Sequence, residues 1–341
     1  MGDAAIREAF ALRSTFGYQA EVAPGIHWAR LQLPFKLEDH INVWLLRGED
    51  GYRLVDTGLD DPATRVLWDE ILAALPGKAT IREVFVTHHH PDHCGLAAWF
   101  ESAHGARIFM AERECALAAG MLAEDDDGEN DALSRHGMNT GAGHRALRHT
   151  FYRSHVRALP RHPIPLTDGS STCWGTERWR THLVGGHTPA HAVFHCPDRN
   201  VLITGDHILP DIVTNIGALA AEEGTTPVAD YLASLERCDT LPDDILVLPA
   251  HGLPFIGLQA RCRQLREIHH ERLAGACRAC AEPSTVAELL PRLYGRELTG
   301  LGALLGFNQT KAYLDYLAMQ GRVASACDRD GRVLFRQTEP G

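Results

Sequence analysis

Several things are missing from this 341-residue chain. No stretch reaches about 18 uninterrupted apolar residues, the length at which a helix can cross a bilayer, so no membrane span is expected. The first residues, MGDAAIREAFALRSTFGYQA, carry an early Asp and Glu and no long apolar core. Neither a secretory leader nor a transit peptide is expected from them. An excess of positive charge is missing as well: the net charge is −11, which argues against a general nucleic-acid binder. The nine cysteines are odd in number and lack a framework spacing, a pattern that suits a reducing cytosol and hence a cytoplasmic protein. Cys277-x-x-Cys280 is the one close pair, and no second pair exists to complete a zinc site with it.

What is present is ordinary in bulk and unusual in one place. Hydrophobic residues make up 45% and charged residues 23%, as in a globular protein large enough for one main core and a small appended unit. The unusual stretch is Ile81 to Gly95, IREVFVTHHHPDHCG. Val84, Phe85 and Val86 read as a buried strand that stops in a polar cluster. Within it, His88, His90, Asp92 and His93 form H-x-H-x-D-H. Imidazole and carboxylate are ligands that zinc, iron and manganese accept. Four of them at a strand end converge if the turn curls round a cation.

The rest of the chain alternates strands and helices. Two strands are expected between Gly25 and Leu46, with Pro34 and Glu38-Asp39-His40 between them. Strand Tyr52–Val55 delivers Asp56 to a turn closed by Gly58. Apolar spacing of three and four predicts a helix over Pro62–Leu75, and another over Leu96–His104 before strand Arg107–Met110. Strands at His182–Val184, Val193–His195, Val201–Thr204 and Ile245–Leu248 follow. Each is a short apolar run, and three of them end in a polar motif containing His187, Asp206 or His251. Residues 1–24 read as an amphipathic helix or loose arm.

These motifs resemble the metallo-β-lactamase fold superfamily: Leu54-Val55-Asp56-Thr57-Gly58, the H-x-H-x-D-H stretch, Gly186-His187-Thr188-Pro189-Ala190-His191, Thr204-Gly205-Asp206-His207 and Pro249-Ala250-His251-Gly252. The resemblance implies an α/β fold, an αββα sandwich of two mixed sheets over residues 25–256. It implies two divalent metal ions, zinc first, with iron or manganese as alternatives. His88, His90 and His187 would hold one ion, Asp92, His93 and His251 the other, and Asp206 would bridge them. Asp56 and His191 would stand behind these ligands, and His40 is read as a surface-loop histidine.

Two stretches depart from a minimal version of that fold. Near 112–161 lies an acidic run, Glu124 to Glu129, read as a solvated loop. After it comes a basic segment with Arg145, Arg148, Arg153, Arg157 and Arg161 and no acid between His144 and His162. The segment is placed to act as a lid whose arginines attract an anionic substrate, or else pair with surface carboxylates. The second departure is the tail. A connecting helix over 257–282 leads to a boundary at Glu282-Pro283-Ser284, with Ser284 as N-cap. Helices Thr285–Leu293, Leu298–Leu305 and Gln309–Gln320 and a hairpin about Asp328–Gly331 then read as a small winged-helix-like α+β domain over 283–341. A similar appendage occurs in the lactamase-beta-2-like endoribonuclease branch. Its seven Lys/Arg against six Asp/Glu favour packing or a homodimer contact over DNA reading.

The expected activity is that of a dinuclear hydrolase. A hydroxide shared by the metals would attack a carboxyl-acyl bond (thioester, lactone or ester) in a small anionic substrate, with Asp92 passing the proton. The alternative is a phosphodiesterase or endoribonuclease, and after it a persulfide dioxygenase or β-lactamase. Neither nucleic acid nor membrane is an expected partner.

Overall fold

A computed structural model describes residues 5–35, 38–77, 79–123, 127–138, 144–174, 177–219 and 225–338. The chain begins with β1 (Arg7–Glu8), β2 (Gly17–Ala23), β3 (Ile26–Gln32), β4 (His40–Arg47) and β5 (Tyr52–Val55). Helix α1 (Pro62–Ala74) precedes β6 (Ile81–Phe85), and α2 (Pro91–Cys94) and α3 (Ala97–His104) precede β7 (Arg107–Ala111). Three helices, α4 (Glu112–Leu122), α5 (Asp127–Arg135) and α6 (His144–His155), lead to β8 (Ile164–Leu166). The second half holds β9 (Ser171–Trp174), β10 (Glu177–Val184), β11 (His191–Cys196), β12 (Val201–Gly205), α7 (Pro227–Arg237), β13 (Leu246–Pro249) and β14 (Phe255–Ile256). The tail consists of α8 (Leu258–Ala279), α9 (Val286–Tyr294), α10 (Gly300–Met319) and the hairpin β15 (Val323–Cys327) and β16 (Val333–Gln337).

The strands form two seven-stranded mixed sheets, ordered β2-β3-β4-β5-β6-β7-β8 and β1-β14-β13-β12-β11-β10-β9. In the first, β5 to β8 run parallel and the earlier strands antiparallel. In the second, only β12 and β13 are parallel. Trp28, Trp44, Phe85, Trp174 and Phe194 fill the space between the sheets. Trp68 and Phe100 belong to the cluster under α1 and α3, and Tyr231, Leu265 and Leu314 to the one under α7, α8 and α10. Helix, sheet, sheet, helix is therefore the layer order, the αββα sandwich. Central strands buried on both faces explain why β4 reads as a nearly continuous apolar run.

Local chemistry marks the helix ends. Asp61 accepts from the Thr64 amide and Pro62 opens α1. At α9 the cap is Thr285, not Ser284: Thr285 and Glu288 form a reciprocal capping box. The two helices expected at Leu298–Leu305 and Gln309–Gln320 are one, α10. Gly306 lies inside it, close to Leu298, whose terminal methyl would stand 2.5 Å from an added Cβ.

The N-terminal segment also differs from expectation. It is not a helix: β1 pairs with β14 and β2 with β3, so it contributes to both sheets. Gln19 disguised β2, because this buried polar side chain breaks the apolar pattern while its Oε1 accepts from the Arg13 and Ser14 amides. Of the acidic run, residues 124–126 lie outside the described residues. Asp127 begins α5, and Glu129 is buried in that helix, so this part is not a solvated loop.

Candidate metal centre

The centre lies where strands of both sheets end. β6 runs into His88-His89-His90, and α2 then carries Asp92 and His93. Past the turn, Gly95 leaves no room for a side chain: a Cβ would come within 2.6 Å of the carbonyl oxygens of Pro91, Gly58 and His155. From the second sheet come His187 after β10, Asp206 after β12 and His251 after β13.

The structure brings all seven of these side chains together. One ligand atom each from His88, His90, His187 and Asp206 lies within 4.8 Å of the others, and the same holds for Asp92, His93 and His251. His88 Nε2 is 2.8 Å from His90 Nδ1, and His187 Nε2 is 3.2 and 3.1 Å from those two atoms. Three imidazole nitrogens that close are what a small cation collects; on a tetrahedral ion with bonds of about 2.0–2.1 Å they would sit roughly 3.3–3.4 Å apart. Asp206 stands between the groups. Its Oδ2 is 3.4 Å from both His187 Nε2 and His93 Nε2, and its Oδ1 is 3.2 Å from His251 Nε2. Asp92 Oδ2 lies 3.5 and 3.6 Å from the Nε2 atoms of His93 and His251.

Behind these atoms, hydrogen bonds choose the tautomers. His93 Nδ1 is 2.8 Å from Asp56 Oδ2, His187 Nδ1 donates to the Asn215 carbonyl at 2.9 Å, and His251 Nδ1 donates to the His40 carbonyl at 2.6 Å. Each bond leaves the ring's Nε2 lone pair facing the centre. Asp56 sits at φ 62° and also accepts from the Thr87 amide and hydroxyl. His191 is not in either ligand group: its Nε2 accepts from the Asp206 amide, and its ring stacks 4.8 Å from that of His88. Gly205 makes room for that ring, since a Cβ there would come within 2.6 Å of it.

The electrostatics call for positive charge. Burial and neighbouring imidazoles hold His88 and His90 well below the usual histidine range, as neutral ligands. Burial pulls His93 and His251 down too, but carboxylates outweigh it, chiefly Asp206 and then Asp92. His93 ends well above its ordinary value and His251 at about 9. Burial raises Asp206, yet His251 and His93 drag it well below the carboxylate range. Without cations the carboxylates draw protons onto these rings; divalent cations meet the same demand. The buried His93 Nε2 has no hydrogen-bond partner, so the donor set fits metal ions by geometry, charge and unsatisfied valence.

Two residues at the centre were not legible as such. Glu114, in α4, is fully buried. It accepts from the His89 amide, lies 2.6 Å from His89 Nδ1, and accepts from the Ala190 amide at 2.8 Å. Burial alone would raise its pKa, but the bonds from His89 and Ala190 win and hold it at about 2. One carboxylate thus fastens the H-x-H-x-D-H loop to the Gly-His-Thr-Pro loop of the other half. His40 is not a surface histidine: its Nε2 accepts from the Gly252 amide, and burial lowers its pKa to about 4. No pattern near either residue announces these partners.

The basic segment does something other than expected. The side chains of Arg145 and Arg148 lie outside the described residues. Arg153 is exposed and donates to the Ala123 carbonyl, and Arg157 is exposed. Neither lines the cavity over the centre, whereas Phe151 and Tyr152 of the same segment do. Phe151 and Tyr152 face inward, and Arg153 and Arg157 face solvent.

Comparison with known proteins agrees with this centre. Residues 38–251 match the Metallo-beta-lactamase superfamily. The chain belongs to that superfamily. It is similar to a solved beta-lactamase domain protein from Burkholderia ambifaria, at 35% identity over 94% of both chains with a TM-score of 0.86. It is also similar to the "Probable metallo-hydrolase YqjP" of Bacillus subtilis (strain 168), 26% identical over 87% of this chain and 93% of that one. A third relative is the Bos taurus acyl-coenzyme A thioesterase MBLAC2, 27% identical over 68% of this chain and 79% of its own. Superfamily membership and the His/Asp centre make the chain a metal-dependent hydrolase. Among the described residues, no helix is long and apolar enough to cross a membrane.

Proposed function

We propose that this hydrolase is dinuclear and opens a carboxyl-acyl bond, a thioester, ester or lactone. The observation that carries the reading is the convergence of two His/Asp groups on Asp206 beside a cavity. Among the described residues that line this cavity there is no Lys or Arg, which is poor provision for a polyanionic nucleic acid. The thioesterase among the relatives supports the same choice.

His88, His90 and His187 would hold one ion and Asp92, His93 and His251 the other, with Asp206 shared. Two bound divalent cations, zinc before iron or manganese, supply Lewis acidity and bring the pKa of water near neutrality. The chain's own part is positioning and proton traffic. The bonds from Asp56, Asn215 and His40 keep the three Nε2 lone pairs aimed while charge changes nearby. Asp92, part-exposed on the cavity wall, takes the proton from water as the new C–O bond forms. It returns that proton to the departing sulfur or oxygen as the old acyl bond breaks.

The test is turnover of metal-loaded protein on an aryl thioester and on an activated phosphodiester, side by side. Asp92→Asn serves as the blank, with metal content measured on both proteins. The expected result is a dominant thioester rate, with kcat falling by about 10²- to 10⁴-fold in the variant and KM little changed. A dominant phosphodiester rate would sink the acyl reading. Undiminished kcat in Asp92→Asn with its metals retained would remove Asp92 from the proton path.

A further inference from the structure

The cavity over the centre has a volume of about 490 Å³, within the usual range of about 300–1,000 Å³ for small-molecule sites. Its wall is unlike that of a site built for a charged substrate. Beside His90, Asp92, Asp206 and His251 it is lined by Leu117 and Met121 of α4, Phe151 of α6, and Leu301, Leu304 and Leu305 of α10. The α10 residues, with Asn308 on the same wall, stand at intervals of three, four and seven, so one stripe of the helix faces the cavity. The opposite side, with Phe307, Leu314 and Leu317, is packed in the main cluster.

A leucine stripe on a helix is most often covered by its own chain. This one is covered only in part: Leu304 is packed in the main cluster, while Leu301 is half-buried and Leu305 is 44% exposed. Single exposed leucines are commonplace. Here three leucines from one helix and apolar side chains from two others share a cavity with a metal centre, which makes a continuous apolar surface beside the reacting atoms. Away from the His/Asp residues, the acidic side chain on the described wall is Glu38, which offers an anionic acyl group no counter-charge.

We infer that the cavity is an acyl-chain site: it seats an unbranched apolar acyl group against the leucine stripe of α10, with the scissile carbonyl at the His/Asp end. The inference rests on the acyl-hydrolase reading above and deepens it, replacing the small anionic substrate expected from the basic segment. It also gives the C-terminal helix a task in specificity: the tail supplies one wall of the substrate site.

The experiment measures binding and cleavage separately. Straight-chain carboxylates from acetate to octanoate are titrated calorimetrically into the metal-loaded protein, and kcat/KM is measured for the p-nitrophenyl esters of the same acids. Affinity and kcat/KM should both climb with chain length, by up to about fourfold for each fully buried methylene. Leu301→Asp and Leu305→Asp should flatten that climb, and Leu305→Ala, a milder change at a half-exposed position, should reduce its slope. Flat or falling carboxylate affinity in the unaltered protein would overturn the inference, even with every ester cleaved. So would a climb that all three variants leave intact, because the chain would then sit elsewhere. Rising affinity with no ester cleaved would leave the acyl-chain site standing and sink the acyl-hydrolase reading instead.

Discussion

The two halves of the sandwich bring imidazoles to one centre but brace them by different means. Behind the first-half loop stand two buried carboxylates: Asp56 holds Thr87 and His93, and Glu114 holds His89. Behind His187 and His251 stand only carbonyl oxygens, those of Asn215 and His40. The surrounding second half and tail are rich in buried histidines that burial keeps neutral, such as His269 at about 3 and His195 at about 4. One half is therefore held by charge and the other by neutral polar contacts. Glu114 is the strut between them, because its second oxygen accepts from Ala190 across the interface.

The hardest way to break this asymmetry is to remove Asp56. Asp56→Ala leaves Thr87 and His93 unpaired in a buried site, a loss on the order of 3–5 kcal/mol. Metal affinity should fall about 10- to 100-fold; urea unfolding and metal titration check the two effects. Glu114→Gln is gentler. It keeps the shape but gives up the charge that His89 and Ala190 bond to, so about 1–3 kcal/mol should be lost. Activity should fall alongside, as the two loops uncouple. If Glu114→Gln unfolds like the unaltered protein, the strut is not holding the halves.

The smallest effect is a pH window. A histidine whose folded pKa is depressed contributes stability above its unfolded value of about 6.5, and that stability is lost as pH falls toward the folded value. For the buried His269, with a folded value of about 3, the loss at pH 5 is roughly 2 kcal/mol. Glu114, depressed to about 2, contributes above its unfolded value of about 4.3 and is lost only below that. Between pH 6.5 and about 4.5, hydrogen exchange should therefore quicken in the second half and tail before it does in β3 to β6. Equal quickening in both would erase the distinction. The expected exceptions on the first half are His40, depressed to about 4, His27 of β3, which burial also lowers, and the loop histidines His88 and His90.

Much of the scaffold was legible because its signals are local. Val84 to Val86 before H-x-H-x-D-H, or Val201 to Thr204 before Asp206, are strand-forming runs, mostly β-branched, that end abruptly, and the structure puts strands there. Where local signals conflicted with tertiary need, the reading failed. Gln19 hid β2, and the two helices read at Leu298–Leu305 and Gln309–Gln320 are one continuous helix. The arginines of the α6 segment drew attention to charge, although the inward face of that helix is Phe151 and Tyr152. The polar run Asn308-Gln309-Thr310-Lys311 is buried in the packing of α10, with Lys311 bonded to Asp315 at 2.7 Å.

By itself, the sequence determined the kinds of atoms at the centre and their placement at strand ends, because ligand chemistry and strand propensity are both written within a few residues. Only the tertiary structure decided how those atoms are held and what the cavity accepts. Glu114 meets Ala190 across 76 residues and His40 meets Gly252 across 212. The leucines of α10 reach a cavity whose metal-loop residues lie some two hundred positions earlier in the chain. Contacts of that separation depend on how whole sheets and helices stack, which no local pattern encodes.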